Sequence, residues 1–172
     1  MTRSDGESLV GKKLQDAVRC LVAEEYYAYQ LYFMSRLAVR PDDRAVVSEL
    51  FAVIAADEMD DHMKTLVEWC SEYGVEFPCT EKEFKKHARA AVQKQISALK
   101  KNQDAGYYIK EALKSEELAM ATYRQVLDMP ETCEFTDLQG ALWKIYYDEA
   151  EHLSNLRTAG IAYDANSSLV IS

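Results

Sequence analysis

Apolar side chains recur at steps of three and four residues through four long stretches of the chain, the spacing that places them on one face of an α-helix. Residues that end helices, such as Pro41, Gly74 and Pro130, lie between these stretches. The pattern therefore predicts four amphipathic helices. They cover residues 11–39, 43–73, 104–129 and 136–160.

The connections between these helices predict how they are arranged. Short links follow the first and third helices, so each of these is expected to lie antiparallel to the helix after it. Residues 74–102 form a much longer connection, in which Thr80 and Glu83 resemble a capping box and the apolar face is weak. We predict an all-α four-helix bundle with a long crossover that carries an extra short helix. A continuous helix into the third stretch, broken near Gly106, is the alternative.

Length and composition fit one domain. The chain has 172 residues, of which 48% are hydrophobic, enough for one substantial core. We expect a flexible N-terminus at residues 1–10, the bundle at 11–160 and a C-terminal tail at 161–172. The apolar runs are too short for a membrane span, and the N-terminus lacks the apolar segment of a signal peptide, so a cytoplasmic protein is expected.

Charge and cysteine spacing exclude several classes of function. The formal net charge of −9 disfavours nucleic-acid binding, because phosphate contact requires a concentrated basic surface. The four cysteines include no CxxC motif, so the sequence encodes neither a rubredoxin-type iron site nor a zinc knuckle.

Each predicted helix carries one glutamate inside its apolar stripe, and two of the helices add a histidine one turn later. Ionisable groups in a core are costly unless they are paired or bind a metal. Glu24 and Glu117 fall off the stripes and are interpreted as solvated charges. Carboxylates with one imidazole per metal favour iron or manganese over a structural zinc. The candidate metal ligands are Glu25, Glu58, His62, Glu116, Glu149 and His152.

At these residues the sequence resembles the bacterioferritin and Dps-like branch of the ferritin-like superfamily, over about residues 12–160. The segments that carry the resemblance are AEEYYAYQLYFMSRL, DEMDDH, EELAMATYRQ and DEAEH. Glu25 and Glu58 are 33 residues apart, as are Glu116 and Glu149, which is typical of two related helix pairs. The resemblance implies a di-iron site with two iron ions per subunit.

The resemblance also implies a role for each ligand. Glu25 and His152 would be terminal ligands, Glu58 and Glu149 bridging carboxylates, and Glu116 a further ligand, with bridging and terminal roles exchangeable. The same five residues would carry the catalysis.

The second helix departs from the family's pattern. The family's ExxH would place histidine at position 61, where this chain has Asp61 followed by His62. Three alternatives are open: a one-residue π-bulge brings His62 to the site, Asp61 replaces it, or one metal position is weakened. The apolar stripe favours His62, whereas strict register favours Asp61. Met59 follows Glu58 as the haem-ligating methionine does in bacterioferritin, but Dps-like relatives carry no haem, so haem is the less favoured alternative.

The function that the resemblance implies is a ferroxidase. It would oxidise Fe(II) with oxygen or hydrogen peroxide and store or detoxify ferric iron in a homo-oligomeric shell. A rubrerythrin-like di-iron peroxidase is the runner-up, disfavoured by the missing CxxC module. A non-catalytic helical bundle that serves as an interaction protein is the third hypothesis.

Overall fold

Four long helical stretches and two short helices make up the described part of the chain, and a π-helical segment divides the second long stretch into two α-helices. The computed structural model describes the backbone of residues 10–169 and the side chains of residues 10–165. The helices are α1 (Lys12–Ala38), α2 (Arg44–Ala56), α3 (Lys64–Tyr73), α4 (Glu81–His87), α5 (Ala90–Ala98), α6 (Ala105–Leu127) and α7 (Thr136–Leu169), and a π-helical segment, Asp57–Met63, joins α2 to α3. The predicted all-α fold is confirmed, and the described residues contain no strand.

The long helices close into a four-helix bundle. Helix α1 packs on α2 and α6, and α7 packs on α6, α2 and α3. Short 3₁₀ turns, Pro41–Asp43 and Pro130–Glu134, join the members of each antiparallel pair. Helix α3 ends at Gly74, whose φ of 65° is the left-handed conformation that glycine adopts without strain. No helix within residues 10–169 combines the length and the apolar character of a membrane span.

The crossover between α3 and α6 runs along the bundle, as predicted, but it holds two short helices. The predicted capping box of Thr80 and Glu83 begins α4. Ala88 and Arg89 are both extended, which separates α4 from α5. Residues 99–104 separate α5 from α6, so the alternative of a helix continuous with the third stretch is wrong.

Two apolar layers form the core, one towards each end of the bundle. The first layer includes Leu21, Trp69 and Leu142; the second includes Phe51 and Ile109. The first layer takes side chains from α1, α3, α6 and α7, and the second takes them from α1, α2, α6 and α7. The buried glutamates and histidines lie between the layers along every helix, so the polar groups form a plane at mid-height.

Helix α7 continues beyond its predicted end near Gly160 and reaches Leu169. Gly160 lies inside α7 and does not end the helix; a Cβ added there would make an ordinary van der Waals contact, 3.5 Å from Ile109 Cγ2. The predicted flexible N-terminus, except residue 10, and residues 170–172 of the predicted tail lie outside the described residues.

Candidate metal centre

The four glutamates of the apolar stripes meet in the polar plane of the bundle. Glu25 comes from α1, Glu58 from the π-helical segment, Glu116 from α6 and Glu149 from α7. Each is at most 2% exposed. The helical period places each side chain on the face that its own helix turns towards the core.

The π-helical segment turns His62 towards these glutamates. A π-helix holds one more residue than the α-helical turn it replaces, so a histidine four positions after Glu58 lies on the same buried face. His62 is 0% exposed. Asp61 is half-exposed and contacts Lys144 of α7 instead. The structure therefore has the π-bulge, and it places His62, not Asp61, beside the glutamates.

Nδ1 of His62 faces the first group of carboxylates. It lies 3.3 Å from Glu58 Oε2, 3.4 Å from Glu25 Oε2 and 3.6 Å from Glu149 Oε1. Ligand atoms of these four residues all lie within 4.8 Å of one another. One cation between them would contact three carboxylates and one imidazole.

Nδ1 of His152 faces a second group. It lies 3.6 Å from both Glu116 Oε2 and Glu149 Oε2, and 3.8 Å from Glu58 Oε1. Ligand atoms of these four residues also lie within 4.8 Å of one another. The two groups share Glu58 and Glu149, so these two carboxylates are placed to bridge a pair of cations.

The donor atoms fit a pair of divalent cations. Buried side-chain oxygens of all four glutamates and Nδ1 of His152 have no hydrogen-bond partner among the described residues. Unpartnered buried polar atoms are rare in folded proteins and call for an explanation. Two divalent cations would balance four carboxylate charges and occupy these donor atoms.

Without cations, the carboxylates resist full ionisation. Burial, together with neighbouring carboxylates, raises the pKa of Glu58 and of Glu149 well above the usual range. Burial also opposes ionisation of Glu25, but contacts with Glu58 and His62 outweigh it and hold the pKa of Glu25 below its usual range. The cation-free cluster therefore keeps protons that cation binding would displace.

The neighbouring carboxylates also change the pKa of the two buried histidines. Burial alone would lower the pKa of an imidazole, but Glu25 beside His62 and Glu116 beside His152 outweigh it, so the pKa of both histidines is raised.

Two buried tyrosines donate hydrogen bonds to the cluster. Tyr32 donates to Glu116 Oε1, and Tyr123 donates to Glu25 Oε1. Burial and the adjacent carboxylate raise the pKa of both phenols well above the usual value, so both remain neutral donors. Each bond holds one oxygen of a glutamate and leaves the other facing the cluster.

Asp57 and Asp148 complete the surroundings of the histidines, and the sequence analysis missed them. Nε2 of His152 lies 3.3 Å from Asp57 Oδ2, and Nε2 of His62 lies 3.6 Å from Asp148 Oδ2. Carboxylates in this position orient a ligating imidazole. A pattern in the sequence could have pointed to both aspartates, because each directly precedes a glutamate of the cluster, Glu58 or Glu149.

The interpretation of Glu24 as a solvated charge is wrong. Glu24 is 6% exposed. Arg89 donates to both of its carboxylate oxygens, at 2.5 Å and 2.9 Å, and Thr122 Oγ1 donates to Oε2 at 3.0 Å. The pair fixes the break between α4 and α5 against the bundle. Glu117 is exposed, as expected. Met59, the candidate haem ligand, is partly buried.

Comparison with known proteins gives the family to which the chain belongs. A family model described as a ferritin-like domain matches residues 15–159. The chain belongs to the ferritin-like family. The resemblance predicted from the motifs is thereby confirmed. No curated protein matches the sequence.

Solved structures with a similar fold include several ferritin-like proteins. This ferritin-like chain is similar to a dodecameric thioferritin, the bacterioferritin-related protein of Bacteroides fragilis, with 19% identity, a TM-score of 0.77, and coverage of 94% of this chain and 92% of that one. It is also similar to a Dps protein of Vibrio cholerae O1, with 13% identity, a TM-score of 0.75, and coverage of 91% and 98%. A ferritin-like, diiron-carboxylate protein of Bacillus anthracis shares 20% identity, with a TM-score of 0.66 and coverage of 87% and 96%.

Proposed function

We propose that this protein is a ferroxidase that binds two iron ions per subunit and oxidises Fe(II) with oxygen or hydrogen peroxide. One observation carries the proposal: two groups of buried ligand atoms, each with one histidine, share Glu58 and Glu149. Carboxylate and imidazole donors suit iron. Membership of the ferritin-like family points to the same chemistry.

The proposed ligands have distinct tasks. Glu25 and His62 would hold one ion, Glu116 and His152 the other, and Glu58 and Glu149 both. Iron is the substrate, and each bound Fe(II) would lose one electron to the oxygen or hydrogen peroxide and become Fe(III). The protein supplies carboxylates whose charge balances the ions, and tyrosine hydrogen bonds that keep Glu25 and Glu116 in place. Apolar layers above and below limit access of bulk water.

A homo-oligomeric shell that stores or detoxifies ferric iron completes the proposal. The dodecameric assembly of the Bacteroides fragilis relative supports it. Large apolar side chains that are exposed on α1 and α2 support it as well, because such groups are usually covered in an assembly: Phe33 is 43% exposed, Leu37 66% and Val53 55%. Light scattering of the purified protein would measure the number of subunits.

Adjacent glutamates provide a matched test of the activity. Glu116 is buried in the cluster, whereas Glu117 is exposed on the same turn of α6. We expect Glu116→Gln to slow Fe(II) oxidation about tenfold or more, since loss even of a residue that only orients a ligand costs about that much. Glu117→Gln should leave the rate unchanged. The rate is followed by the absorbance of ferric product after oxygen or peroxide is added to anaerobically loaded protein.

Equal rates in the two variants, or a wild-type rate no faster than buffer, would contradict the proposal. Rapid peroxide turnover with an added reductant, but without ferric mineral, would instead favour the rubrerythrin-like peroxidase.

A further inference from the structure

A small cavity lies beside the metal centre, on the face of the bundle that the crossover covers. Helices α1 and α6 form its walls, and α5 contributes one side chain, that of Val92. Glu25 of the metal centre lines the cavity, and so does Tyr123, which donates a hydrogen bond to Glu25. The volume is about 10 Å³, which holds no more than about one water-sized molecule. The cavity therefore links the metal centre to the inner face of α5.

The side chains around the cavity suit a small uncharged molecule. Ala28 and Ala119 leave the space between α1 and α6. Arg89 and Thr122 donate to the oxygens of Glu24, so this carboxylate does not present an unpaired charge to the cavity. A hydrated ion would lose its water on entry, and burial of a charge is costly. An uncharged molecule would not meet that cost.

Helix α5, which covers the cavity, is held against the bundle by few contacts. Among its nine residues, all of which the structure describes, only Val92 is buried. Val92 belongs to neither apolar layer. Gln95 adds a hydrogen bond to the backbone oxygen of Glu111 in α6. A segment with few buried apolar contacts opens at a low cost in free energy.

Both flanks of α5 are anchored, so an opening would be confined to this helix. Before it, the ring of Phe84 in α4 stacks on Tyr26 of α1, with the ring centroids 4.1 Å apart. After it, the backbone N–H of Asn102 donates to Ala38 O at 2.6 Å. The residues directly before and after α5 are extended, and residues at the ends of elements can absorb a hinge motion. Helix α5 is thus built as a lid between two fixed ends.

The outer surface of the crossover carries positive charge. Lys85, Lys86 and Lys94 are exposed, and none of them forms an ion pair with an acidic side chain within residues 10–165. Like charges repel, so this face disfavours the approach of Fe(II). Carboxylates line a depression elsewhere, between α2 and α7. An uncharged oxidant is not repelled by the lysines, so the crossover face discriminates between the two reactants.

We propose that this cavity is the entry site for an uncharged oxidant, dioxygen or hydrogen peroxide, and that α5 opens as a lid to admit it. Val92 closes the cavity, and the pair of Arg89 and Glu24 holds the hinge before α5 in place. Hydrogen peroxide that enters would take one electron from each of two Fe(II) ions. With two protons from solvent it becomes two water molecules as its O–O bond breaks. This use of the cavity rests on the proposed function.

Filling the cavity tests the entry site. Ala119→Leu puts a larger side chain into it, whereas Ala121→Leu makes the same change at an exposed position of α6. We expect Ala119→Leu to slow Fe(II) oxidation by hydrogen peroxide about tenfold, since access limits the reaction once the lid's cavity is blocked. Both variants should still bind two Mn(II) ions per chain, counted by electron paramagnetic resonance, and Ala121→Leu should keep the wild-type rate.

Loosening the lid tests its motion with a size-selective probe. Val92→Ala removes two buried methyl groups and should make α5 open about tenfold more often. Amide hydrogen exchange of residues 90–98 should become faster by the same factor. Oxidation of Fe(II) by tert-butyl hydroperoxide, which is bulkier than hydrogen peroxide, should then speed up more than oxidation by hydrogen peroxide. Val126→Ala makes the same change in an apolar layer and should alter neither the exchange nor the ratio of the two rates.

Two results would overturn the entry site: equal rates in Ala119→Leu and Ala121→Leu, or an unchanged ratio of the two peroxide rates in Val92→Ala. If Ala119→Leu lost its Mn(II) ions, the ratio in Val92→Ala would decide. Wild-type protein that oxidises Fe(II) no faster than buffer would contradict the proposed function instead. In that case faster hydrogen exchange in α5 than in α4 would still support the lid, and equal exchange would overturn it.

Discussion

Deletion of Asp60 would test whether the π-helical segment exists to absorb one extra residue. Before the segment, buried positions follow the α-helical period up to Glu58; after it, His62, Leu66 and Trp69 follow the same period shifted by one. A chain without Asp60 would place the histidine three residues after Glu58. We therefore expect the deletion to yield an uninterrupted α-helix with every buried side chain of α3 still in the core.

The cost of this deletion should be small, and a matched deletion shows what a large cost would be. Asp60 is exposed, so its removal should change the free energy of unfolding by less than about 1 kcal/mol. Deletion of Glu68, which is also exposed, would turn the rest of α3 by about 100°. Trp69 and Cys70, which are 5% and 0% exposed, would leave the core, at a cost of about 4 kcal/mol.

Urea denaturation followed by circular dichroism measures both costs, and Mn(II) binding reports whether the centre survives. The protein with Asp60 deleted should still bind two Mn(II) ions at the buried glutamates and histidines. If this deletion destabilised the protein as much as the deletion of Glu68, or abolished Mn(II) binding at the metal centre, the π-helical segment would not be a one-residue insertion in a regular helix.

Three further predictions follow from the buried charges. The folded protein keeps protons on Glu58 and Glu149 that the unfolded chain loses above about pH 4.3. Metal-free protein should therefore lose stability as pH rises above that value, and Mn(II) binding should tighten as pH rises. Thermal denaturation in chelator and calorimetric titration measure the two trends, and flat profiles would contradict the raised pKa values. Arg89→Met should lower the free energy of unfolding by about 3 kcal/mol, because Glu24 stays buried without its partner, and adding Glu24→Leu should restore most of the loss in urea denaturation. Tyr123→Phe should cost about 1–3 kcal/mol, since a buried carboxylate loses its donor; an unchanged urea midpoint would contradict this.

Helical periodicity predicted most of the fold because each long helix buries one continuous face. The four long helices begin and end within two residues of the predicted positions, except the end of α7. That end was misjudged because glycine often follows the last residue of a helix but is also tolerated inside one, and the residue type alone does not decide between the two.

The candidate site was predictable where a residue's own helix determines its environment. Glu25, Glu116 and Glu149 lie on regular stripes, and the structure buries all three. Glu24 was misjudged because its partner, Arg89, lies in the crossover, 65 residues away in the sequence. No pattern within a single helix can reveal such a contact. The choice between Asp61 and His62 likewise depended on helix geometry that the residue types alone do not determine.

The polar plane at mid-height has a consequence for the motions of the bundle. Each apolar layer on its own is a small hydrophobic core. The carboxylates in the plane between the layers repel one another when they are ionised and no cation is bound. We expect metal-free protein to open locally at this level, with faster amide hydrogen exchange around the π-helical segment than in the layers. Bound cations would cross-link the helices there, so the rigidity of the whole bundle would depend on how much metal it carries.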